Sequence, residues 1–196
     1  VQPGDVKYVD VNHDGAINAN DKVDLGNGLP KYTFGFNFTL GYKGFDLSAN
    51  FTGAAGFQIA QSYRDPSGSQ GNYSHRILGR WTGEGTSNEM PRVTYGDVGN
   101  WLFSDLYLQD GDYIRLQNLT LGYDFKKLIS WKGLSKLRLY FQVQNLFTLT
   151  KYDGMDPEIG SYNGTDGNSS DSWVSGVDMG YYPHPRTFIV GVNVAF

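Results

Sequence analysis

Residues Lys31 to Gly53 read KYTFGFNFTLGYKGFDLSANFTG. From Tyr32 to Tyr42 the even positions are Tyr32, Phe34, Phe36, Phe38, Leu40 and Tyr42, all large and apolar or aromatic. The odd positions between them are Thr33, Gly35, Asn37, Thr39 and Gly41, all small or polar and all uncharged. A period of two belongs to a strand, because a helical face needs apolar residues three and four apart. After Lys43-Gly44 the alternation resumes. Phe45, Leu47, Ala49 and Phe51 then share one face, and Asp46, Ser48, Asn50 and Thr52 share the other. The stretch therefore predicts two strands, 32–43 and 45–53, joined in a tight hairpin.

Three more segments carry the same pattern. YIRLQNLTLGYDF predicts a strand over 113–125. Its apolar parity changes between Ile114-Leu116 and Leu119-Leu121-Tyr123, which places a bulge near Gln117-Asn118. A strand over 137–147 puts Leu137, Leu139, Phe141 and Val143 on one face and Arg138, Tyr140, Gln142 and Gln144 on the other. The last, 186–196, ends on Phe196 and aligns Phe188, Val190, Val192 and Val194. The connections alternate in length. A two-residue turn and the short KKLISWKGLSK link alternate with loops of about sixty and about forty residues, 53–112 and 148–185. Loops of that size argue against a compact soluble domain. They suit an outer-membrane barrel, which has short turns at one end, long loops at the other, and tilted strands of about 9–11 residues. A soluble β-sandwich is the other all-β solution, but its solvent face should carry Lys, Glu and Thr. Here the polar face is mostly small and neutral, Asp46, Arg138 and Tyr140 apart, and the apolar face is uncharged, as a watery lumen and a lipid surface would require. The fold class expected is all-β, as the last five strands of a large transmembrane barrel.

Composition agrees. The chain of 196 residues has 26 Gly, 14 Tyr and 12 Phe, a mixture suited to strands and turns rather than helices. Its formal net charge of −4 offers no basic field to nucleic acid. It has no cysteine, so thiolate metal sites and disulfides are excluded. No apolar run is long enough for a membrane helix, which says nothing about a barrel strand. Val1-Gln2-Pro3-Gly4 is not a start of translation, so a processed chain or a fragment is expected.

Four stretches in order carry a family resemblance: the region from GDVKYVDVNHDG to FDLSANFTG, then YLQDGDYIRLQNLTLGYDF, LRLYFQVQNLFTLTKYDGMDPE and YYPHPRTFIVGVNVAF. Together they resemble the C-terminal part of the SusC/RagA family of TonB-dependent outer-membrane transporters of the Bacteroidetes. The resemblance implies a barrel of about 22 strands, of which residues 1–196 would be a C-terminal segment, with the plug and the N-terminal barrel absent from this chain. It implies a SusD-like lipoprotein over the mouth, uptake of oligosaccharides or peptides, and energy from TonB through the missing N-terminal part. It makes Phe196 the terminal aromatic of a barrel-assembly signal. Thr33, Asn37, Thr39, Asp46, Ser48, Asn50, Arg138, Gln142 and Gln144 would then face the lumen.

Ahead of the first strand stands DVNHDGAINANDKVD, Asp10 to Asp24. Asp10, Asn12, Asp14, Gly15, Asn18 and Asp21 take positions 1, 3, 5, 6, 9 and 12 of a calcium loop, with Ala16 offering a carbonyl at position 7. Asp21 replaces the usual Glu, and the flanks are not helical. The alternatives are a bound Ca2+ or a loop held by its own Asx turns. By the short-turn rule the loop is extracellular. His13, His75 and His184 lack ligand-spaced partners, and no Ser-His-Asp or HExxH arrangement exists. Asp153, Asp156 and Glu158 form an acidic cluster that reads as loop rather than as a catalytic pair. GSYNGTDGNSS lacks the Lys-Ser/Thr of a phosphate loop. Loop aromatics, chiefly Trp81, Trp101, Tyr152, Trp173 and Tyr181, are candidates for cargo or lid contact, with packing inside the loops as the alternative. The function expected is import rather than catalysis. The rival is a secreted calcium-dependent β-sandwich that binds carbohydrate.

Overall fold

A computed structural model describes residues 1–61, 75–93, 99–129, 131–159 and 176–196, apart from the Lys127 side chain. The described residues contain strands, turns and short 3-10 segments, with no α-helix among them. They form two compact units. One comprises Val1–Gly26, Ala60–Leu108 and Asp178–Gly180; the other comprises Asn27–Ile59, Gln109–Val177 and Tyr181–Phe196.

The second unit is built on five long strands: β1 (Tyr32–Tyr42), β2 (Phe45–Ala55), β3 (Tyr113–Asp124), β4 (Lys136–Thr150) and β5 (Thr187–Ala195). They lie side by side in chain order, every neighbouring pair antiparallel. Lys43 and Gly44 both have positive φ, 48° and 98°, which gives a two-residue turn the twist its strands need. β4 is longer than its alternation suggests, because it continues past Phe147 to pair Thr148, Leu149 and Thr150 with β3.

Register carries the sequence pattern across the whole sheet. Leu40, Leu47, Leu121, Phe141 and Val190 form one row, and Phe38, Ala49, Leu119, Val143 and Phe188 the next. Tyr42, Phe45, Tyr123, Leu139 and Val192 form a row at the hairpin end, where the Phe45 and Tyr123 rings lie 4.4 Å apart. The opposite face carries Asn37, Asn50, Asn118, Gln144 and Thr187, then Thr39, Ser48, Thr120, Gln142 and Ile189. The parity change in β3 is a bulge. Asn50 and Phe51 are consecutive in β2, but they pair with Asn118 and Leu116, leaving Gln117 extra. Opposite it, Asn145 takes a left-handed φ of 51°. One consequence is that Arg115 joins the polar face beside Thr52 and Thr148 instead of the apolar face beside Leu119.

Among the described residues no protein layer covers the apolar face. Phe36 is 59 %, Phe188 61 % and Val190 70 % exposed. A soluble monomer rarely shows a contiguous apolar patch of more than a few hundred Å², and this one runs the width of five strands. The buried apolar cluster of the unit lies instead at the end of the sheet away from the hairpin turn. Ala54, Phe57, Ile59 and Tyr152 form it, with Tyr113 and Ile159 packed against them.

Two glycines allow close approaches. A Cβ on Gly53 would meet both the Phe34 ring and the Tyr113 carbonyl, which is backbone and cannot swing away. A Cβ on Gly122 would meet only the tips of Arg138 and Asp46. Gly53→Ala is therefore expected to cost about 1–3 kcal/mol, and Gly122→Ala under about 1 kcal/mol, the scale of a solvent-accessible ion pair. Denaturant midpoints of the full-length protein carrying each change would check the order.

Candidate functional site

The polar face holds charge at two places. At the hairpin end, Arg138 of β4 reaches over Gly122 to Asp46 of β2, with Nε 2.8 Å from Oδ1 and Nη2 2.5 Å from Oδ2. This two-pronged pair crosses three strands, and the Arg138 guanidinium also lies 4.9 Å from the Tyr140 ring centroid. Between the two charged places the face is neutral. Gln142 donates to Asn118 Oδ1 at 3.2 Å.

The second place is buried. Arg115 and Asp156 are 3 % and 4 % exposed, and their side chains form an ion pair. Arg115 also donates from Nη1 to Glu158 Oε2 at 2.7 Å and from Nε to Thr148 Oγ1 at 2.9 Å. Asp156 Oδ1 accepts the Glu158 N–H at 2.9 Å. Its Oδ2 accepts the His184 N–H at 3.0 Å and lies 2.9 Å from His184 Nδ1. Nδ1 also lies 3.1 Å from Arg115 Nη1, so it faces a carboxylate that accepts and a guanidinium that donates, and the ring's tautomer sets which of the two contacts it serves. The cluster ties two loop segments, 156–158 and the approach to β5 at His184, to the β3–β4 wall. Burial pushes the Asp156 carboxyl up, but the N–H groups of His184 and Glu158, the His184 ring and Arg115 outweigh it and hold the carboxyl below its ordinary range. The residues can anchor loops; they present no nucleophile paired with a base.

In the first unit, Asp5 ties the N-terminal stretch to distant loops. It pairs with Arg92 and accepts from Asn100 Nδ2 at 3.0 Å, while Asn100 Oδ1 accepts the Val6 N–H at 2.7 Å. Arg92, then Asn100, then the Gln2 N–H hold its carboxyl far below the usual range. The loop after it is organised by its own acidic and amide side chains. Asp10 accepts the Asp14 and Gly15 N–H groups at 3.2 and 2.8 Å, and Asp14 the Ala16 N–H at 2.8 Å. Asp21 accepts the Val11 and Asn18 N–H groups at 3.0 and 2.7 Å. Gly15 has φ 84°, which provides the sharp turn. The amide nitrogens of Asn12 and Asn18 both point to Asp14 Oδ2, at 2.9 and 3.4 Å. The Ala16 N–H, then Asn12, lower the Asp14 pKa. Asp10, Asn12, Asp14, Ala16, Asn18 and Asp21 thus supply oxygens alone, gathered about one turn, which is the donor chemistry of a hard cation. Among the described residues no three His, Asp or Glu side chains converge as a metal-holding group, so amide and carbonyl oxygens would have to complete any shell.

The other residues singled out from sequence fall as follows. Thr33, Asn37, Thr39, Asp46, Ser48, Asn50, Arg138, Gln142 and Gln144 share the polar face. Tyr152, at 5 % exposure, belongs to the apolar cluster with Phe57 and Ile59, the packing alternative given for the loop aromatics. The Trp81 ring packs over Gly4, and its backbone N–H donates to the Met90 carbonyl at 2.9 Å. The Trp101 carbonyl accepts the Tyr107 hydroxyl at 3.0 Å. Tyr181 is 45 % exposed. Trp173 and the GSYNGTDGNSS stretch lie outside the described residues. Phe196 follows the last strand residue and meets the Trp131 ring edge-on at 6.3 Å. Sequence reasoning missed the role of Arg115 and treated His184 as solitary. The available signal was one arginine inside an alternating strand whose other charge, Asp124, stands at its end.

No family model matches the chain. Among curated proteins, TonB-dependent receptor P3 of Formosa agariphila is 35 % identical over 196 residues, which is 99 % of this chain and 19 % of the receptor. TonB-dependent receptor SusC of Bacteroides thetaiotaomicron is 28 % identical over 199 residues, 100 % of this chain and 18 % of SusC. The chain is a SusC-like segment. It spans about a fifth of the length of these relatives. In fold, the SusC-like segment is similar to the RagAB peptide transporter, with TM-score 0.71 at 24 % identity over 92 % of this chain and 19 % of that one. The RagAB peptide importer in its open-open state gives 0.64 at 24 % over 86 % of this chain and 17 % of that one. The family resemblance read from four stretches of sequence is borne out, as is the all-β class.

Removing one partner from a buried ion pair leaves the other charge stranded. Arg115→Met is accordingly expected to cost about 3–5 kcal/mol, measured as a shift in the unfolding midpoint of the full-length protein. The depressed Asp156 carboxyl gives a pH signature. Its stabilising share is complete above the ordinary Asp range, about 3.9, and is lost as pH falls through its lower folded value. Protease protection of the 151–159 loop should therefore persist until pH falls below that range, and Asp156→Asn should remove this acid step.

Proposed function

We propose that the SusC-like segment is the C-terminal part of the wall of a closed outer-membrane barrel of about 22 strands, in an importer for glycans or peptides. The rest of the same transporter would supply the remaining strands and a plug. A SusD-like lipoprotein would cover the mouth, and TonB would provide energy through the N-terminal part. The observation that carries this reading is the bare apolar face, aligned row by row over five strands. Hydrocarbon accepts such a face, but it leaves no open strand edge unpaired. Among the described residues β1 and β5 each have one strand neighbour, so both need partners from the remainder of the barrel. The small neutral residues opposite suit a water-filled interior, with Asp46–Arg138 and the Arg115 cluster bracing it at two levels. In this orientation the Lys43-Gly44 turn is periplasmic and the loops are extracellular. A secreted sandwich would need a second layer over Phe36, Phe188 and Val190, whose exposure counts against it.

The Asp10–Asp21 loop is proposed to take Ca2+ when it is available outside the cell. When bound, the ion would supply positive charge that pins the loop; Asp10, Asp14 and Asp21 would provide carboxylates, Asn12 and Asn18 amide oxygens, and Ala16 a carbonyl. Its role would be structural.

Two outcomes are expected. In the full-length transporter, Phe188→Arg on the lipid face should cost about 2–4 kcal/mol, whereas Thr39→Arg on the lumen face should change stability little; unfolding of the detergent-purified protein with co-purified lipoprotein would measure both. An equal penalty for the two would sink the assignment of faces. Calcium at tenfold over its Kd should stabilise the loop by about 1.4 kcal/mol, read as hydrogen-exchange protection of residues 10–21, and Asp10→Ala should abolish the effect. Identical exchange with calcium and with chelator would leave the loop metal-free.

A further inference from the structure

The unit made of Val1–Gly26, Ala60–Leu108 and Asp178–Gly180 contains a cavity of about 320 Å³, within the size range of small-ligand sites. Its walls come from the 3-10 turn His75–Gly79, from Glu89 and Met90, and from Trp101, Leu106 and Tyr107 of two further turns. Hydrogen bonds hold these walls in place. Met90 is fixed on both sides, its carbonyl accepting the Trp81 N–H at 2.9 Å and its own N–H donating to Ser87 Oγ at 3.1 Å. The Tyr107 hydroxyl is spent on the Trp101 carbonyl at 3.0 Å, and Tyr107 is 4 % exposed.

The lining indicates what would fit. Leu78, Met90 and Leu106 with the two rings offer an apolar surface. Arg76 supplies a positive charge and Glu89 a negative one, with His75 beside them. An apolar floor with both signs of charge beside it matches a peptide, whose uncharged side chain can enter while its amide groups or termini meet the charged residues. A sugar needs an aromatic face together with several free hydroxyl or amide partners; here the Tyr107 hydroxyl is already used. Met90 adapts its shape to side chains of different outline, which suits cargo of varied sequence.

We propose that this cavity seats one apolar side chain of an incoming peptide. The proposal rests on the importer reading and narrows its cargo. Leu78 is 68 % exposed, so enlarging it should not disturb the fold.

The test uses the full-length importer with its lipoprotein, purified in detergent. The probes are Ala/Ser heptapeptides with Gly, Leu or Phe at the central position, and a linear glucose heptasaccharide. Leu and Phe peptides should bind on the order of tenfold more tightly than the Gly peptide. Met90→Trp and Leu78→Trp, which fill the cavity, should erase that ratio, whereas Met90→Leu should keep it. A ratio unaltered by both Trp variants in a folded importer would overturn the peptide pocket while leaving the importer reading intact. Heptasaccharide binding that falls with the same two variants would overturn it in favour of a sugar site. Failure of the protein to enter the outer membrane would be a different result, striking the importer reading itself.

Discussion

The register of the five-stranded sheet is the constraint on which the rest of the molecule depends. A one-residue slip at any ladder would turn an apolar row to the polar side and bring Asn or Gln among the Phe and Val residues. Local devices hold that register. The Lys43-Gly44 turn fixes the first ladder, with both residues at positive φ. The Gln117 bulge resets β3 so that Leu116 stays in the apolar row with Phe51 and Phe147. Without that extra residue, Arg115 would emerge among the aliphatic rows. The bulge therefore creates the position from which one buried arginine gathers Asp156, Glu158 and His184.

This arrangement divides the labour. The strands present two uniform faces and little chemistry. The loops carry most of the acids and the tryptophans, and the Arg115 cluster fastens two loop segments to the sheet. A buried ion pair seldom adds net stability over an apolar pair of similar shape. Its value here lies in geometry: Asp156 is satisfied only when the 156–158 segment and His184 are both in place. In the other unit Asp5 plays a similar part, because Arg92, Asn100 and the Gln2 N–H meet at one carboxylate.

Much of the fold was legible because period-two alternation is local and the strands are long. Phe34-Phe36-Phe38 and Val190-Val192-Val194 announce their faces without help, and the parity break in YIRLQNLTLGYDF announced its bulge. The site was far less legible. Asp156 and His184 are 28 residues apart, and Arg115 is 41 residues from Asp156; the antiparallel ladders of β4 with β3 and with β5 bring them together. Tyr152 looked like a loop aromatic because it follows the end of an alternating run. In fact β4 continues to Thr150, whose Oγ accepts the Tyr152 N–H and directs the ring into the cluster with Phe57 and Ile59. Spacing can identify a calcium-type loop, but it does not show how fully the side chains of that loop already serve its own backbone.

The central claim is that the apolar face meets lipid and the polar face meets water. The most direct measurement is site-by-site fluorescence quenching in the assembled transporter, with an environment-sensitive probe on single cysteines at Phe38, Val190, Thr39 and Gln142. Nitroxide-bearing lipids should quench the probe at Phe38 and Val190 and leave it bright at Thr39 and Gln142, where a water-soluble quencher should act instead. Equal quenching on both faces, or protection of Phe38 and Val190 from the lipid quencher, would contradict the account and put a protein layer over the aromatic rows.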